Sequence, residues 1–367
     1  MKASIQTKEI LDAVQKVQSV VSTKSTLSIL SNILIETVDN ALVFTATDLQ
    51  VGMRCKAEGR VKKEGASTIP AKTLFAILRE LPEGEVSLDI TDKDVASITC
   101  GESFFKILGI SKEEFPKLPE FLEKESFTLS QPLLKDMLRK TVYAVSREDN
   151  RYALMGMYFI IAKQVLTLVS TDGRRLSKMT AELGADVKLK RDFIVPLKAV
   201  EELQHMLADD GDLRIFLSKN QVAFQLDKVL LVSRLIDGTF PDYDRVIPES
   251  STQKAELDRR EFLHIVRRAA LLTTDQANLV RLSFANAQLV MTSSSPEIGE
   301  ARVSMPAKYD GKGLEIAFNP DFLKDVLNSM DEEVVTLEMS DALSPGVVRG
   351  ESPFLHVLMP MRLQDTE

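Results

Sequence analysis

The sequence contains few of the side chains that usually bind metals or act as nucleophiles. Its 367 residues include only two cysteines, Cys55 and Cys100, and three histidines, His205, His264 and His356, and none of them has the spacing of a metal site. A Gly-x-Ser-x-Gly elbow, a Walker loop and a Gly-x-Gly-x-x-Gly fingerprint are also absent. These absences argue against an enzyme, and we expect no metal, no cofactor and no nucleotide site.

The sequence also lacks a long apolar run. Hydrophobic residues make up 44% of the chain and charged residues 27%, and no stretch is apolar enough to predict a membrane span. The first residues run directly into the first amphipathic segment, which leaves no room for a signal peptide. Both cysteines are typical of small buried thiols in a reducing compartment, so we expect a cytoplasmic protein.

What the sequence does contain is a pattern that recurs three times, at intervals of roughly 120 residues. Short amphipathic helices are predicted to begin within 69–74, 195–200 and 318–323. A second helix type recurs with the same period, and its apolar residues have the three-and-four spacing of one buried face. These residues are Ile10, Leu11, Val14 and Val17, then Leu133, Leu134, Met137 and Leu138, then Phe262, Ile265, Val266 and Ala269.

Strands with an alternating pattern lie between the two helix types. The strands at 42–48 and 166–172 both end in Thr-Asp, at Asp48 and Asp172, which predicts the same turn in both copies. The third copy, at 289–294, keeps the strand and lacks the aspartate. One alternative places Asp48 and Asp172 on a single metal in a phosphodiester hydrolase. Each is more simply explained as a turn residue that bonds its own backbone.

Repeats of this length are domains, because about 120 residues can bury a core whereas a solenoid repeat cannot. The fold prediction is α+β, with three repeated domains that each pack two helices on antiparallel sheets. We place the domains at 1–122, 126–248 and 252–367. A segment rich in Pro, Lys and Glu at 116–124 and a polar segment at 248–252 fit these breaks. Such patterns also recur by chance, but two segment types that keep one spacing favour duplication.

The distribution of charge is more informative than its total. A net charge of −8 argues against indiscriminate coating of nucleic acid, yet several repeated helices are locally basic. The cations concerned are Lys8, Lys16, Lys135, Arg139, Lys140, Arg147, Arg259, Arg260, Arg267 and Arg268, with Lys72 and Lys198 at the starts of the other helix type. Each helix alone is typical of a solvated surface. Recurrence in related domains indicates instead a common basic space that could hold a polyanion.

Five segments together carry a family resemblance. They lie at 26–32, 151–156, 171–176, 237–243 and 359–363, and include Thr171-Asp172-Gly173-Arg174-Arg175 and Asp237-Gly238-Thr239-Phe240-Pro241. In this order, on a triplicated chain, they make the sequence similar to the bacterial DNA sliding clamp, the beta subunit of the replicative DNA polymerase. The resemblance covers residues 1–363.

The resemblance implies a processivity factor with the DNA clamp fold. Two subunits would form a head-to-tail homodimeric ring of six domains, with helices around a central hole that holds double-stranded DNA independently of sequence. The ring would tether the catalytic subunit of the replicative polymerase and would also bind the clamp loader and other proteins with clamp-binding motifs. A rival hypothesis is a three-domain scaffold that binds peptides and encircles nothing.

The resemblance also implies three sets of site residues. The partner-peptide pocket would consist of Leu154, Thr171, Gly173, Arg174, Arg175, Leu176, Pro241, Val246, Ser344, Val357, Leu358, Met359, Pro360, Met361 and Arg362. The DNA-binding positions would be Lys24, Lys72, Arg147, Glu148, Tyr152 and Ala153. The dimer interface would join Phe105 and Ile107 on an edge strand to Leu271 and Leu272 on a helix of the third domain.

Three positions depart from the family pattern. Ala153 stands where an aromatic residue is frequent, Glu148 is acidic where a polar or basic side chain is expected, and Arg174 replaces a more usual histidine between Gly173 and Arg175. Leu154, Leu176 and Val357 could also be ordinary core residues of their strands. Residues 364–367 form a short acidic extension for which we predict disorder.

Overall fold

The computed structural model describes residues 1–22, 27–119, 121, 126–148, 151–184, 187, 189–274, 278–309, 311–350 and 353–362. Across these residues it contains six α-helices and 26 strands, and all strand pairs are antiparallel. The predicted α+β class is therefore confirmed. Lys24 and the extension after Leu363 lie outside the described residues.

The elements recur in the same order three times. The first repeat consists of β1 (Lys2–Gln6), α1 (Thr7–Gln18), β2 (Asn32–Val38), β3 (Ala41–Thr47), β4 (Val51–Glu58), β5 (Arg60–Lys63), β6 (Ala66–Pro70), α2 (Ala71–Glu80), β7 (Glu85–Ile90), β8 (Val95–Cys100) and β9 (Ser103–Leu108).

Among its described residues, the second repeat shows no counterpart of β5. It consists of β10 (Ser126–Ser130), α3 (Gln131–Thr141), β11 (Gly156–Ala162), β12 (Val165–Thr171), β13 (Arg175–Glu182), β14 (Arg191–Pro196), α4 (Leu197–Met206), β15 (Asp212–Leu217), β16 (Gln221–Leu226) and β17 (Val229–Arg234).

The third repeat follows the same plan. It consists of β18 (Gln253–Asp258), α5 (Arg259–Ala270), β19 (Val280–Ala285), β20 (Gln288–Ser295), β21 (Gly299–Pro306), β22 (Lys308–Tyr309), β23 (Leu314–Phe318), α6 (Pro320–Ser329), β24 (Val334–Met339), β25 (Gly346–Arg349) and β26 (Phe354–Leu358).

Both predicted helix types form, and their starts follow the sequence signals. Helices α2 and α4 begin directly after Pro70 and Pro196, and the side chain of Asn319 caps α6 by accepting a hydrogen bond from the Asp321 N–H at 2.8 Å. The predicted apolar faces of α1, α3 and α5 are buried, except that Leu11 and Leu133 are half-buried. Helical periodicity therefore identified the core faces.

The same tight turn joins the second and third strands of each repeat. Asp39-Asn40, Lys163-Gln164 and Asn286-Ala287 all have two consecutive residues with positive φ. Two positive φ values are the signature of a hairpin turn whose twist matches the flanking strands. Lysine, glutamine and alanine are uncommon in such turns, so the pairing of the strands, more than the turn residues, holds this conformation.

The described chain divides into two compact units. The first unit comprises 1–132 and 198–235, and the second comprises 133–197 and 236–367. The second repeat is thus shared between the units, although the predicted domain boundaries followed the repeats. Those boundaries remain a prediction.

Each unit contains two sheets, one of which joins two repeats. The first unit has a sheet ordered β5-β1-β7-β8-β9 and another ordered β10-β15-β16-β17-β4-β3-β2-β6. The second unit has a sheet ordered β14-β11-β12-β13-β26-β25-β24-β18-β22 and another ordered β21-β20-β19-β23. We call the β4–β17 pairing the first seam and the β13–β26 pairing the second seam.

The core of each unit is made of aromatic and branched side chains. Phe44, Ile33 and Met53 are fully buried in the first unit, and Phe159 and Phe262 are fully buried in the second. The two free thiols are also buried, as predicted, and burial raises the pKa of Cys55. No helix in the described part of the chain is both long and apolar enough to cross a membrane.

Candidate functional site

Most of the predicted pocket residues lie along the second seam. Arg175 of β13 lies opposite Leu358 of β26, and Leu176 lies opposite Val357. The chain then continues past the strand, where the N–H of Met359 donates to the carbonyl oxygen of Arg174 at 2.9 Å. The fold therefore brings the segments 171–176 and 357–362, far apart in sequence, into direct contact.

Beneath this seam lies an apolar cluster of the second unit. Leu154, Leu176 and Val357 are buried in it, so they are core residues whose outer edges alone can face a ligand. Other members, all missed by sequence reasoning, are Val169, Ile194, Ile236, Phe240 and Val347. The signal that could have identified Phe240 is its place in the quoted segment 237–243.

Exposed apolar side chains border this cluster. Val246 is 41% exposed, Pro241 and Met359 are also exposed, and the half-buried Tyr243 packs against the cluster. The sequence predicts a partner site here, and for that reason alone we call the surface bounded by Leu176, Val357, Pro241, Val246 and Met359 the partner groove. Its apolar and sulfur-containing walls suit a short peptide with hydrophobic anchors.

A hydrogen-bonded turn shapes one end of the partner groove. Asp172 accepts hydrogen bonds from the N–H groups of Arg174 and Arg175 at 2.9 and 3.0 Å, and the Thr171 hydroxyl accepts from the Gly173 N–H at 3.0 Å. Gly173 has a φ of 85°, and a Cβ there would lie 2.0 Å from the Arg151 guanidinium. The positive φ favours glycine at this position, and any side chain there would also have to displace the end of Arg151.

Asp48 forms the same turn in the first unit. It accepts hydrogen bonds from the N–H groups of Gln50 and Val51 at 2.9 and 2.7 Å. The turn interpretation of Asp48 and Asp172 is therefore confirmed, and the two residues lie in different units. Among the described residues, no group of three or more potential ligands is placed to hold a metal ion.

The Arg175 guanidinium is almost buried and donates three hydrogen bonds within the second unit. It donates to Asp172 at 3.0 Å, to Asp325 of α6 at 2.6 Å and to the carbonyl oxygen of Tyr143 at 2.6 Å. Its Cζ atom also lies 4.4 Å from the ring centre of Phe322. Arg175 therefore ties α6 to the start of β13, a structural role that the predicted pocket position did not indicate.

A buried polar group lies on the other face of the second seam from Val357. The Tyr143 hydroxyl lies 3.2 Å from Nδ1 of His356 and 3.4 Å from the Ser177 hydroxyl, which donates to the carbonyl oxygen of Lys140 at 2.6 Å. Burial, with a further contribution from Arg175, lowers the pKa of His356 to about 3. Burial likewise raises the pKa of Tyr143 to about 12.

His356 is therefore neutral at physiological pH. Its Nε2 atom has no hydrogen-bond partner within the part of the chain that the structure describes. Sequence reasoning treated the three histidines as scattered and missed this one. Its alternation with the apolar residues of the last strand was the available signal.

The remaining pocket positions lie beside the second seam. The N–H of Met361 donates to the carbonyl oxygen of Ala317 at 2.8 Å, which fixes the path of the chain toward Arg362. Ser344 lies in the loop before β25 and donates its hydroxyl to Asp341 at 2.7 Å. That hydroxyl, together with backbone N–H groups, lowers the pKa of Asp341.

The predicted DNA-binding positions are mostly exposed. Lys72 is exposed on α2, Arg147 and Glu148 are exposed after α3, and Tyr152 is 60% exposed. Ala153 is half-buried against the apolar cluster. Two of the positions that depart from the family pattern form an ion pair, in which the Glu148 carboxylate lies 3.5 Å from the Arg174 guanidinium. Each therefore offsets the other, weakly because both are exposed.

The structure corrects the expected basic face of α3. Lys140 is buried and lies 3.1 Å from Asp136, and Arg139 lies 2.6 Å from the same carboxylate and also bonds Asp331. Lys198, at the start of α4, bonds Asp48 at 2.5 Å. These three cations are used inside their own units. The exposed cations of the predicted set are Lys8, Lys16, Lys72, Arg147, Arg260, Arg267 and Arg268.

The predicted interface strand β9 is an edge strand of its sheet. Phe105 is half-buried and Ile107 is buried, whereas the alternate residues Phe104 and Leu108 are 63% and 73% exposed. Sequence reasoning missed these two, although strand alternation distinguishes the two faces.

The predicted third-domain residues lie just beyond a helix. Helix α5 ends at Ala270, and Leu271 and Leu272 follow it directly, rather than lying within the helix. Leu271 is 76% exposed and Leu272 is half-buried. A leucine exposed to this extent is a candidate for contact with another surface.

Family models match the chain in three consecutive segments. They are the N-terminal domain of the DNA polymerase III beta subunit at residues 1–119, the central domain at 128–242 and the C-terminal domain at 244–362. The beta sliding clamp of Chlamydia pneumoniae is 40% identical over 365 residues and is covered over 100% of both chains. The beta sliding clamp of Escherichia coli K12 is 32% identical, over 99% of this chain and 100% of its own length.

Solved structures agree with the sequence comparisons. The DNA polymerase sliding clamp from Bacillus subtilis superposes with a TM-score of 0.96 at 28% identity. A DnaN sliding clamp from Bartonella birtlesii, solved with bound griselimycin, superposes with a TM-score of 0.95 at 34% identity. Both comparisons cover 99% of this chain and 100% of the other.

Proposed function

The chain belongs to the DNA polymerase III beta subunit family of sliding clamps, and from this premise we propose that two copies close head to tail into a ring around duplex DNA. The ring tethers the catalytic subunit of the replicative polymerase to its template. It acts in the cytoplasm as a mechanical tether and not as a catalyst.

The observation that carries the proposal is the pattern of joined and unjoined strands. In the order of the repeats, β4, β13 and β21 are equivalent strands, and β9, β17 and β26 are equivalent strands. The first seam joins β4 to β17 and the second joins β13 to β26, which leaves β21 and β9 as sheet edges. A third seam of the same kind requires another copy of the chain.

Two copies satisfy both edges at once. Strand β21 of one copy would pair with β9 of the other, and the reverse pairing would close the assembly. The exposed side chains of Phe104, Leu108 and Leu271 supply apolar surface for this contact. Closure would also remove two unpaired strand edges, which otherwise invite aggregation.

Retention on DNA would then follow from topology. The exposed cations Lys72, Arg260 and Arg267 can contact phosphates without reading bases, so the grip is independent of sequence and weakened by salt. A net charge of −8 repels DNA from the rest of the surface. Such a ring slides freely and leaves only at an end of the DNA.

The partner groove would bind the proteins that use the ring. Short segments with leucine or phenylalanine anchors and a glutamine would seat on Leu176, Val357 and Val246, and the backbone around Gly173 would fix their orientation. The polymerase subunit, the clamp loader and other motif-bearing proteins would share this one surface. The griselimycin-bound Bartonella relative supports the expectation of a ligand site on this fold.

The decisive experiment compares circular with linear DNA. Protein loaded on a nicked circle should remain through gel filtration in moderate salt and should be released when a restriction enzyme cuts the circle. If both forms retain the protein equally, or if neither retains it, the rival hypothesis of a peptide-binding scaffold that encircles nothing is favoured.

A second experiment tests the pairing of copies. Leu271→Glu with Leu272→Glu should sediment as a monomer, because charge would be buried at the contact. Val334→Glu, which places the same charge at another exposed apolar position, is the matched control and should remain dimeric. A dimeric double variant would refute this interface.

A further inference from the structure

The two seams share one register. Gly52 of β4 lies opposite Val232 of β17, and Leu176 of β13 lies opposite Val357 of β26. The same hydrogen-bonded Thr-Asp turn precedes β4 and β13. The first seam therefore has, at equivalent positions, the backbone on which the partner groove of the second unit is built.

At the first seam this backbone is covered by the chain itself. Gly52 takes the position of Leu176, and Leu118 packs over it: a Cβ on Gly52 would lie 2.3 Å from Cδ2 of Leu118 and 3.5 Å from the Thr47 hydroxyl. Thr47 is the counterpart of Thr171, a predicted pocket residue. Leu118 thus fills space that the Leu176 side chain takes at the second seam, at the wall of the partner groove.

A second anchor from the same segment covers the neighbouring strands. The ring of Phe121 lies 6.3 Å from that of Phe216, and Phe121 packs on a cluster that includes Ala223 and Val232. Val232 is the residue opposite Gly52. Leu118 and Phe121 therefore both pack on the first seam, and they are the residue types expected of leucine and phenylalanine anchors in a bound peptide.

The chain segments that connect successive repeats, which we call the linkers, begin in the same way at both seams. Phe115-Pro116 and Phe240-Pro241 precede the covering segments, and Phe115 packs with Leu30 as Phe240 packs with Leu154. The position equivalent to Phe121 is then Val246, which is smaller and exposed. The second linker leaves its seam open where the first linker covers it.

We propose that the first seam is a second peptide groove, occupied by the chain's own Leu118 and Phe121, and that it binds a peptide with leucine and phenylalanine anchors once this segment is displaced. The inference rests on the partner groove of the proposed function. It explains why a chain with two equivalent seams would offer one free site.

Covalent attachment makes the resident segment a strong competitor. A short linker holds its anchors at an effective concentration on the order of millimolar, so a free peptide with a micromolar dissociation constant would be excluded from the first seam. Replacing the anchors removes this competitor and leaves the apolar floor of β4, β16 and β17 in place.

The experiment measures peptide stoichiometry by calorimetry on the full chain. The probe is a synthetic peptide copying residues 115–121, Phe-Pro-Lys-Leu-Pro-Glu-Phe. The main variant is Leu118→Ser with Phe121→Ser, and Val38→Ser, at an exposed apolar position of β2, is the matched control. Gly52→Ala, added to the double variant, is a blocking control, because its methyl group would take space that the leucine anchor needs.

The double variant should bind one more equivalent of peptide per chain than wild-type protein and the Val38→Ser control. Adding Gly52→Ala to the double variant should remove the additional equivalent again. Unchanged binding in a folded double variant would overturn the proposal, and Phe121→Ser alone, which should gain weaker binding at the same seam, replaces it if the double variant does not fold.

The same peptide separates this proposal from the proposed function. Truncation before Met359 should remove binding at the partner groove and leave the additional equivalent of the double variant intact. If the partner groove does not bind peptide, wild-type protein binds none and truncation changes nothing. The presence or absence of one bound equivalent in the double variant still tests the first seam.

Discussion

The two seams have the same backbone and differ in chemistry. In the first seam, Met53 lies opposite Leu231, and in the second seam Ser177 lies opposite His356 at the equivalent register. All four side chains are fully buried. The first seam is thus apolar on this face and covered by its linker on the other, whereas the second is polar on this face and open on the other.

This difference shows how a duplicated junction can serve two purposes. An apolar pair needs only close packing and contains no titratable group, so the contact between Met53 and Leu231 does not depend on pH. A buried polar pair must keep its hydrogen bonds, and these fix the orientation of β26 against β13. A precisely held strand pair suits a surface that has to recognise peptides.

The ion pair at the second seam is more buried and has more partners than the ion pair at the first seam. Asp48 at the first seam bonds the half-exposed Lys198, whereas Asp172 at the second shares the buried Arg175 with Asp325. Arginine can bond several acceptors in fixed geometry, and lysine acts as a single charge. The second junction therefore depends more strongly on one side chain.

The largest expected effect comes from removing that side chain. Arg175→Ala leaves the Asp172 and Asp325 carboxylates near each other without their shared cation, so we expect a loss of about 3–5 kcal/mol from the free energy of unfolding. Urea denaturation followed by circular dichroism measures it. A loss below about 1 kcal/mol would show that the two seams are held equally, contrary to the comparison.

A change of pH should affect the second seam next. The folded-state pKa of His356 is about 3 and the unfolded value is about 6.5, so between these values only the unfolded chain takes up the proton. The stability from neutral His356 is complete above pH 6.5 and is lost as the pH falls. Between pH 7.5 and 5 this loss amounts to about 2 kcal/mol.

His356→Leu introduces the residue found at the equivalent position of the first seam. The variant should lose about 2 kcal/mol less than wild type over the same pH range, whatever its stability at pH 7.5. Denaturant midpoints at the two pH values give the difference. The same acid sensitivity in both proteins would exclude His356 as its source.

The partner groove provides a smaller effect. Val246→Ala removes two exposed methyl groups, so stability should change by less than about 0.5 kcal/mol, while the affinity of a groove-binding peptide falls about fivefold. Fluorescence anisotropy with a labelled partner peptide measures the affinity. Val38→Ala is the matched control, since it removes the same groups from an exposed site outside both seams.

The smallest effect is expected at the first seam. Lys198 is 40% exposed at its side chain, so its ion pair with Asp48 is screened by solvent. Lys198→Met should lower the free energy of unfolding by less than about 0.5 kcal/mol. A loss as large as that of Arg175→Ala would contradict the difference between the seams.

Local signals in the sequence identified much of the fold. Helical spacing gave the buried faces of α1, α3 and α5, and the Thr-Asp pairs at 48 and 172 gave the two turns. Each of these features depends on residues within a few positions of one another. Features that depend on nearby residues alone can be predicted from the sequence without a structure.

The sequence misled wherever a distant partner decides a residue's role. Arg139 and Lys140 were expected on a basic surface, but Asp136 and Asp331 engage them inside the second unit. The exposure of Phe104 and Leu108 was not predicted either, because alternation does not say which face of an edge strand is covered. The covered face depends on residues that are distant in the sequence and pack against the strand.

By itself the sequence determined that the chain is triplicated, that each repeat has two amphipathic helices and antiparallel strands, and where the two Thr-Asp turns fall, because period, alternation and turn chemistry act over short distances. Only the tertiary structure decided that β4 pairs with β17 and β13 with β26, that Leu118 covers Gly52, and that His356 is buried beside Tyr143. Strand pairing and burial depend on groups brought together from far apart in the chain, and no local pattern specifies which of several similar edges will meet.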